Sequence, residues 1–107
     1  MKKGDVVLIR FPFTDLTGSK NRPAVVLFDS EEDVTVCFIT TNLNRKHEYD
    51  IPVIPSVLNG LKLDSCIRVN KLATIDKVLI LGKLGTLEVS VIKQINGNLI
   101  NLMQLKS

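Results

Sequence analysis

The sequence has 107 residues, of which 45% are hydrophobic and 23% are charged, with a net charge of +3 and a pI near 9.0. A chain of this length is expected to form one domain, spanning 1–107, and to fold without disulfides. No run approaches the roughly 18 apolar residues of a membrane span, and the start of the chain lacks the apolar core of a signal peptide. We therefore expect a cytoplasmic protein that does not bind membranes.

Basic charge is concentrated in the second half of the chain. Residues 1–53 carry 7 basic and 8 acidic side chains, whereas residues 54–107 carry 7 and 3. An anionic partner is therefore expected on the second half, provided that folding gathers its lysines on one face. The two cysteines, Cys37 and Cys66, lie in apolar runs, and the one histidine is His47. Without ligands at metal-binding spacing, we predict buried thiols and no metal site.

The composition favours β-strands, because 29 residues are Val, Ile or Thr and only 2 are Ala. The apolar run of the first strand indicates burial on both faces, and Pro52 marks the fourth strand as an edge. Asn59-Gly60 predicts a turn. The predicted strands are Asp5–Phe11, Pro23–Phe28, Val34–Thr41, Ile51–Ile54, Ser65–Asn70 and Val78–Leu84.

Polar segments rich in turn-forming residues are predicted to connect these strands. The longest, Pro12–Arg22, exceeds what a hairpin needs, and long irregular connections are often functional. The others are Asp29–Asp33, Asn42–Asp50 and Lys71–Lys77.

The C-terminal segment from Leu87 has apolar residues at spacings of three and four, which predicts a helix that Thr86 can cap. Asn96-Gly97 favours the alternative of two strands joined by a hairpin turn, and we prefer the helix. The whole chain therefore predicts a mainly β protein, a small curled sheet or partly open barrel with a terminal helix over one end or face. The residues on the predicted helix face are Val91, Ile92, Ile95, Leu99, Leu102 and Met103.

Three groups of side chains are candidates for chemistry. Arg22 precedes the rigid Pro23, so its guanidinium projects from a fixed base and suits phosphate, the alternative being an ion pair with Asp15 or Asp29. Thr40 and Thr41 end the third strand, and Arg68 and Asn70 lie two residues apart on one strand face. The stacking surfaces available for bases are Phe11, Phe13 and Tyr49.

Several sequence blocks resemble the PemK/MazF family of bacterial type II toxin endoribonucleases. They are GDVVLIRFPFTD at 4–15, GSKNRPAVVL at 18–27, FITT at 38–41, DS at 64–65 and TID at 74–76. The resemblance extends over essentially the whole chain and is most specific in the N-terminal third. It implies a small SH3-like β-barrel, assembled as a homodimer, that cuts single-stranded RNA by attack of the 2′-hydroxyl and needs no metal or cofactor.

The same resemblance implies the site residues. Arg22 and Thr40 match the family's catalytic pair. Some members also use an arginine and an acidic residue on the strand before the TID block; Arg68 matches that arginine, whereas Asn70 stands where those members carry aspartate. Asparagine cannot abstract a proton, so the proton carrier is unassigned. Ala73 stands where many relatives have arginine. The residues expected to bind RNA or support the pair are Ser19, Lys20, Asn21, Thr41, Arg68 and Asn70.

The resemblance also implies partners. It predicts a toxin of a bacterial toxin–antitoxin system, regulated by an antitoxin with an acidic, disordered tail, and contacting DNA only through the antitoxin complex. The alternative is a barrel of the same fold that binds nucleic acid or protein without turnover, because fold does not fix function. A barrel of the gyrase-poison type is a further alternative, against which the arginine–proline pair argues.

Overall fold

The computed structural model describes residues 1–12, 19–44 and 46–106, and it contains one antiparallel sheet followed by a helix. The strands lie in the order β4-β5-β3-β2-β1-β6, so the predicted edge position of the fourth strand is confirmed. A short 3-10 turn, Lys77–Leu79, precedes β6. The elements are β1 (Asp5–Pro12), β2 (Ser19–Asp29), β3 (Asp33–Thr40), β4 (Asp50–Val53), β5 (Ser65–Asp76), β6 (Ile80–Thr86) and α1 (Val89–Leu102).

The central strands are buried on both faces, as the apolar run in the first strand predicts. Val6 and Val7 alternate between the two faces, and both are fully buried. One face forms the helix-side core, which includes Val6, Cys37 and Ile67. The other forms the second core, which includes Val7 and Val36. The side chains of the candidate site lie on the same face of the sheet as the second core, beyond its last residues on β2 and β3.

The C-terminal segment is one helix, so the hairpin alternative is wrong. Ile95 is 1% exposed in the helix-side core, whereas Gly97 lies on the exposed face. Packing of the apolar face therefore outweighs the roughly 1 kcal/mol cost of a helical glycine. The predicted Thr86 cap is also wrong, because Thr86 ends β6 and Glu88 takes the capping position without a side-chain hydrogen bond. Met103 is 48% exposed, outside the buried face.

Several predicted strand limits need correction, and β6 begins at Ile80 rather than Val78 because Lys77–Leu79 form a 3-10 turn. β2 begins at Ser19 and β1 extends to Pro12, so both ends of the predicted Pro12–Arg22 loop are strand, and residues 13–18 lie outside the described residues. β5 continues to Asp76, although Lys71–Lys77 was predicted to be a connection. Consecutive residues Cys37 and Phe38 pair with Leu72 and Arg68, so residues 69–71 form a bulge in β5. Bulges bend strands, and this one curls the sheet.

The curled sheet is a partly open barrel, because its two edge strands do not pair with each other. The segment after β4 bridges the gap, and the amide of Thr86 donates to the carbonyl of Leu58 at 2.8 Å. Gly60 in the same segment has φ +70°, and a Cβ there would collide with the carbonyl oxygen of Leu84. Only glycine fits this close approach without strain.

Candidate active site

A polar cavity of about 360 Å³ lies where β2 and β3 diverge at the end of the sheet. The cavity combines a guanidinium, two hydroxyls and two side-chain amides, which suits a ligand rich in hydrogen-bond acceptors and negative charge. Its described lining residues are Asn21, Arg22, Pro23, Ile39, Thr40, Thr41 and Asn42.

The strand register brings Arg22 and Thr40 together. The β2–β3 ladder ends at Ala24 paired with Phe38, and Arg22 and Thr40 each lie two residues beyond that pair on their strands. Because side chains alternate along a strand, Arg22 faces the same side as Ala24, and Thr40 faces the same side as Phe38. Both side chains are half-buried and both line the cavity. The two residues that the resemblance pairs are therefore neighbours across one cavity.

Local hydrogen bonds fix the threonine hydroxyl. The backbone amide of Asn42 donates to Thr40 Oγ1 at 3.0 Å, and the amide of Asn44 donates to Asn42 Oδ1 at 3.1 Å. These two turns close β3 just beyond its last residue. A hydroxyl that accepts a hydrogen bond still carries its own proton, which it can donate to a ligand oxygen.

Arg22 is held by its position inside β2 rather than at the end of a loop. It pairs with Ile9 of β1, which is fully buried, and Pro23 follows it. The Arg22 Nε atom is buried as well. A guanidinium so anchored loses little conformational freedom when it binds an oxyanion.

On β5, Cys66 and Arg68 lie beside the β3 residues that lead into the cavity. Cys66 pairs with Thr40, and Arg68 pairs with Phe38 in the neighbouring row. Arg68 does not line the polar cavity, and its Nε lies 3.4 Å from Oδ1 of Asp50 on β4. Asp50 is not among the candidate residues predicted from the sequence, because it lies in the polar segment Asn42–Asp50 that is predicted to connect two strands. The Asp50 side chain is only 6% exposed.

Asn70 lies two residues after Arg68, within the β5 bulge, and its buried Oδ1 has no hydrogen-bond partner among the described residues. Ile67 and Val69 both belong to the helix-side core, so alternation places Arg68 and Asn70 together on the opposite face. Their role as a donor pair stays a prediction.

The remaining candidates divide by position. Asn21 and Thr41 line the cavity with Arg22 and Thr40, and their role in RNA binding stays a prediction. Ser19 and Lys20 lie on β2, where their backbones pair with Pro12 and Phe11 of β1. Phe13 is outside the described residues. Tyr49 packs against the helix-side core, so the structure does not place it beside the cavity.

The cysteines are free and buried, as predicted. Burial raises the pKa of Cys37 to about 12. Burial also raises the pKa of Cys66, and the neighbouring Asp50 carboxylate raises it further, against a smaller opposite effect of Arg68. Both thiols are therefore protonated at neutral pH, and neither is an activated nucleophile.

The described residues contain neither a metal-binding cluster nor a membrane-spanning helix. Within residues 1–12, 19–44 and 46–106, no cluster of three or more His, Cys, Asp or Glu side chains is arranged to hold a metal ion. Over the same ranges, α1 included, no helix is long and apolar enough to cross a membrane.

The curled sheet, its single covering helix and the arginine–threonine cavity define a small β protein suited to an anionic ligand. A family model described as PemK-like, MazF-like toxin of type II toxin-antitoxin system matches residues 2–103, so the chain belongs to that family. The family prediction is thereby confirmed. No curated protein matches the sequence.

Solved structures confirm the fold. A mycobacterial endoribonuclease in complex with its cognate antitoxin is 19% identical with a TM-score of 0.76, over 100% of this chain and 98% of that one. The Mycobacterium tuberculosis toxin MazF-mt6 is 23% identical with a TM-score of 0.74, over 94% and 99%. MazF from Deinococcus radiodurans is 17% identical with a TM-score of 0.75, over 97% and 96%. At such identities the likeness concerns the fold.

Proposed function

We propose that this chain is the toxin of a type II toxin–antitoxin pair and acts as an endoribonuclease on single-stranded RNA. The observation that carries the proposal is that Arg22 and Thr40 line the same polar cavity. Family membership and the solved endoribonuclease with the same fold support the reaction class. Inhibition of translation and growth would follow from cleavage of cellular RNA.

The cavity chemistry suits attack by the ribose 2′-hydroxyl. The 2′-oxygen bonds to phosphorus while the bond to the 5′-oxygen breaks, which leaves a 2′,3′-cyclic phosphate and a 5′-hydroxyl. The protein then has to position the phosphodiester and stabilise the charge that develops on its oxygens. This route needs neither metal nor cofactor, because the nucleophile belongs to the substrate.

Arg22 and Thr40 take complementary roles in this mechanism. The guanidinium binds the non-bridging phosphate oxygens, and the threonine hydroxyl donates to one of them or to the 2′-oxygen. Removal of one such preorganised donor typically costs about 3–4 kcal/mol of transition-state stabilisation. Among the described lining residues there is no carboxylate or imidazole, so electrostatic stabilisation, rather than proton transfer by a lining side chain, dominates the proposal.

RNA selectivity follows from the same chemistry. Deoxyribose lacks the nucleophile, and a 2′-methoxy group blocks it, so DNA and 2′-methoxy RNA are expected to bind without being cut. Asn21 and Thr41, at the cavity rim, add hydrogen-bonding groups for the sugar–phosphate chain.

We also propose the partners that the resemblance implies. They are a second copy of the chain in a homodimer and an antitoxin whose acidic, disordered tail covers the cavity. The net charge of +3 and the guanidinium in the cavity favour an acidic segment, which gains charge pairing as it becomes ordered. Contact with DNA is expected only through the antitoxin, and the expected location is the bacterial cytoplasm.

The test is incubation of purified protein with end-labelled single-stranded RNA in EDTA, with Arg22→Ala and Thr40→Ala as variants. We expect the wild type to leave 2′,3′-cyclic phosphate ends and both folded variants to lose cleavage. Circular dichroism and thermal melts establish that the variants are folded. If the wild type retards every RNA in a gel but leaves it intact, the chain is a binding barrel without turnover and the enzyme proposal is wrong.

A further inference from the structure

Asp50 is a buried carboxylate with a partner on each of its oxygens. Its Oδ2 accepts a hydrogen bond of 2.9 Å from the backbone amide of His47, and its Oδ1 forms an ion pair with Arg68 Nε at 3.4 Å, without hydrogen-bond geometry. The side chain is 6% exposed. Burial of a carboxylate costs free energy unless a cation and hydrogen bonds compensate it, and here the Arg68 cation and the His47 amide contribute that compensation.

The strand registers carry this ion pair to the edge of the candidate site. Asp50 pairs with Arg68 across β4 and β5, and Arg68 pairs with Phe38 across β5 and β3. Two residues further along β3, on the same face of the sheet, Thr40 pairs with Cys66. Arg68 is thus the diagonal neighbour of Thr40, at a Cβ separation of about 7–8 Å, which a long side chain can span.

Arg68 differs from Asp50 in accessibility and in the groups that it can still offer. Its side chain is 21% exposed, so part of it reaches solvent. The contact with Asp50 is made through Nε, and the two terminal nitrogens of a guanidinium carry four further N–H donors. The ion pair draws the Nε side of the guanidinium toward Asp50 and leaves its terminal nitrogens for other partners.

We propose that Asp50 is a positioning residue, which orients Arg68, the arginine that the family resemblance already assigns to the site, toward the RNA phosphate beside Thr40. This inference rests on the proposed function and adds to it a residue from β4. Thr40 then lies between two arginines, with Arg22 on β2 and Arg68 on β5.

The direction in which RNA affinity and cleavage rate change when Asp50 is replaced distinguishes a positioning role from simple electrostatics. Replacing Asp50 by asparagine removes a negative charge close to an anionic ligand, so Coulomb's law alone predicts tighter RNA binding and no loss of rate. Positioning predicts the opposite for the chemical step, because a freed Arg68 no longer meets the transition state in the correct orientation. A misplacement of about 1 Å typically reduces rates about a hundredfold.

The experiment compares wild type with Asp50→Asn, and uses Glu48→Gln as a matched control. Glu48 is exposed, lies two residues before Asp50 and undergoes the same change of charge. Single-turnover cleavage of a labelled RNA gives the rate, and fluorescence anisotropy with the 2′-methoxy form of that RNA gives the affinity. We expect Asp50→Asn to cut about 10–100 times more slowly without weaker binding, and Glu48→Gln to match the wild type.

A double-mutant cycle keeps the inference testable if Asp50→Asn is less stable. Arg68→Lys retains the positive charge but lacks Nε and the planar fork, so it should lose a similar factor in rate. If Asp50 acts through Arg68, Asp50→Asn in the Arg68→Lys background has little further effect. A multiplicative loss in the double variant would overturn the inference.

The outcomes also separate this inference from the proposed function. Wild-type cleavage together with undiminished cleavage by folded Asp50→Asn overturns the positioning role alone. A wild type that cuts no RNA overturns the proposed function, and the positioning role with it. A loss of rate in Glu48→Gln equal to that in Asp50→Asn assigns the effect to net charge and overturns the inference as well.

Discussion

Replacement of Thr40 by valine separates the catalytic role of the hydroxyl from its structural role. Valine keeps the branched shape and the strand preference of threonine but removes the oxygen that accepts from the Asn42 amide at 3.0 Å. That bond is exposed, so its loss should lower the free energy of unfolding by only about 0.5–1 kcal/mol. For a domain of this size, the melting temperature should fall by roughly 2–8 °C.

The expected effect on cleavage is much larger. If the hydroxyl donates to the phosphate or the 2′-oxygen in the transition state, its removal should slow single-turnover cleavage about 100–1000-fold, which corresponds to about 3–4 kcal/mol. The loss of transition-state stabilisation, in kcal/mol, is then severalfold larger than the loss in free energy of unfolding. The assay measures cleavage of labelled single-stranded RNA in EDTA at saturating protein, at a temperature well below both melting transitions.

Thr74→Val is the matched control for this experiment. The Thr74 hydroxyl lies 2.6 Å from that of Thr35, near the far end of β5 from Cys66, so the same chemical change removes a hydrogen bond away from the cavity. Its melting temperature should fall, while its cleavage rate should remain that of the wild type. The reasoning is refuted if folded Thr40→Val cuts at a rate close to the wild type, or if Thr74→Val loses as much activity.

Three further predictions concern stability and the thiols. Gly60→Ala should lower the free energy of unfolding by about 2 kcal/mol or more, because Gly60 has φ +70° and no room for a Cβ. Urea melts measure the change, and an unchanged melt would contradict that geometry. Burial raises the pKa of Asp5, but hydrogen bonds from the Lys2 amide and from Lys83, with the charge of Lys83, lower it below 3.8 overall. Its stabilisation is therefore full above the unfolded-state pKa and lost as the pH falls through the lower folded-state pKa. Asp5→Asn should accordingly be less stable than wild type in urea at pH 7, and the difference should shrink at about pH 2, whereas a difference independent of pH would contradict this assignment. Cys37 and Cys66 should react with a thiol reagent only after addition of denaturant, and rapid labelling of the native protein would contradict their burial.

The elements that follow from local pattern were predicted well. The first four strands, the turn at Asn59-Gly60 and the terminal helix follow from apolar spacing and turn residues, which report directly on the backbone geometry of short segments. Strand ends and connections were less accurate. β5 runs through Lys71 to Asp76 because β3 is available to pair with both parts of it, which no local pattern reveals.

The candidate site was predicted in part, and the missing part has an identifiable cause. Arg22 and Thr40 were identified by resemblance, and both line the cavity just beyond the last β2–β3 pair. Asp50 was placed in an exposed connection because its neighbours along the chain are polar and charged. Its burial depends on Arg68 of β5, distant in sequence, so a reading of local polarity could not find it.

By itself, the sequence determined the class of the protein: a mainly β chain with a C-terminal amphipathic helix, buried thiols and the residue blocks of a toxin family. These properties depend on residue types and short-range spacing. Only the tertiary structure decided that the barrel stays partly open, that Asn96-Gly97 lies within a helix, and that a carboxylate of β4 pairs with an arginine near Thr40. These outcomes depend on which distant strands pair and on the register that packing of both cores selects.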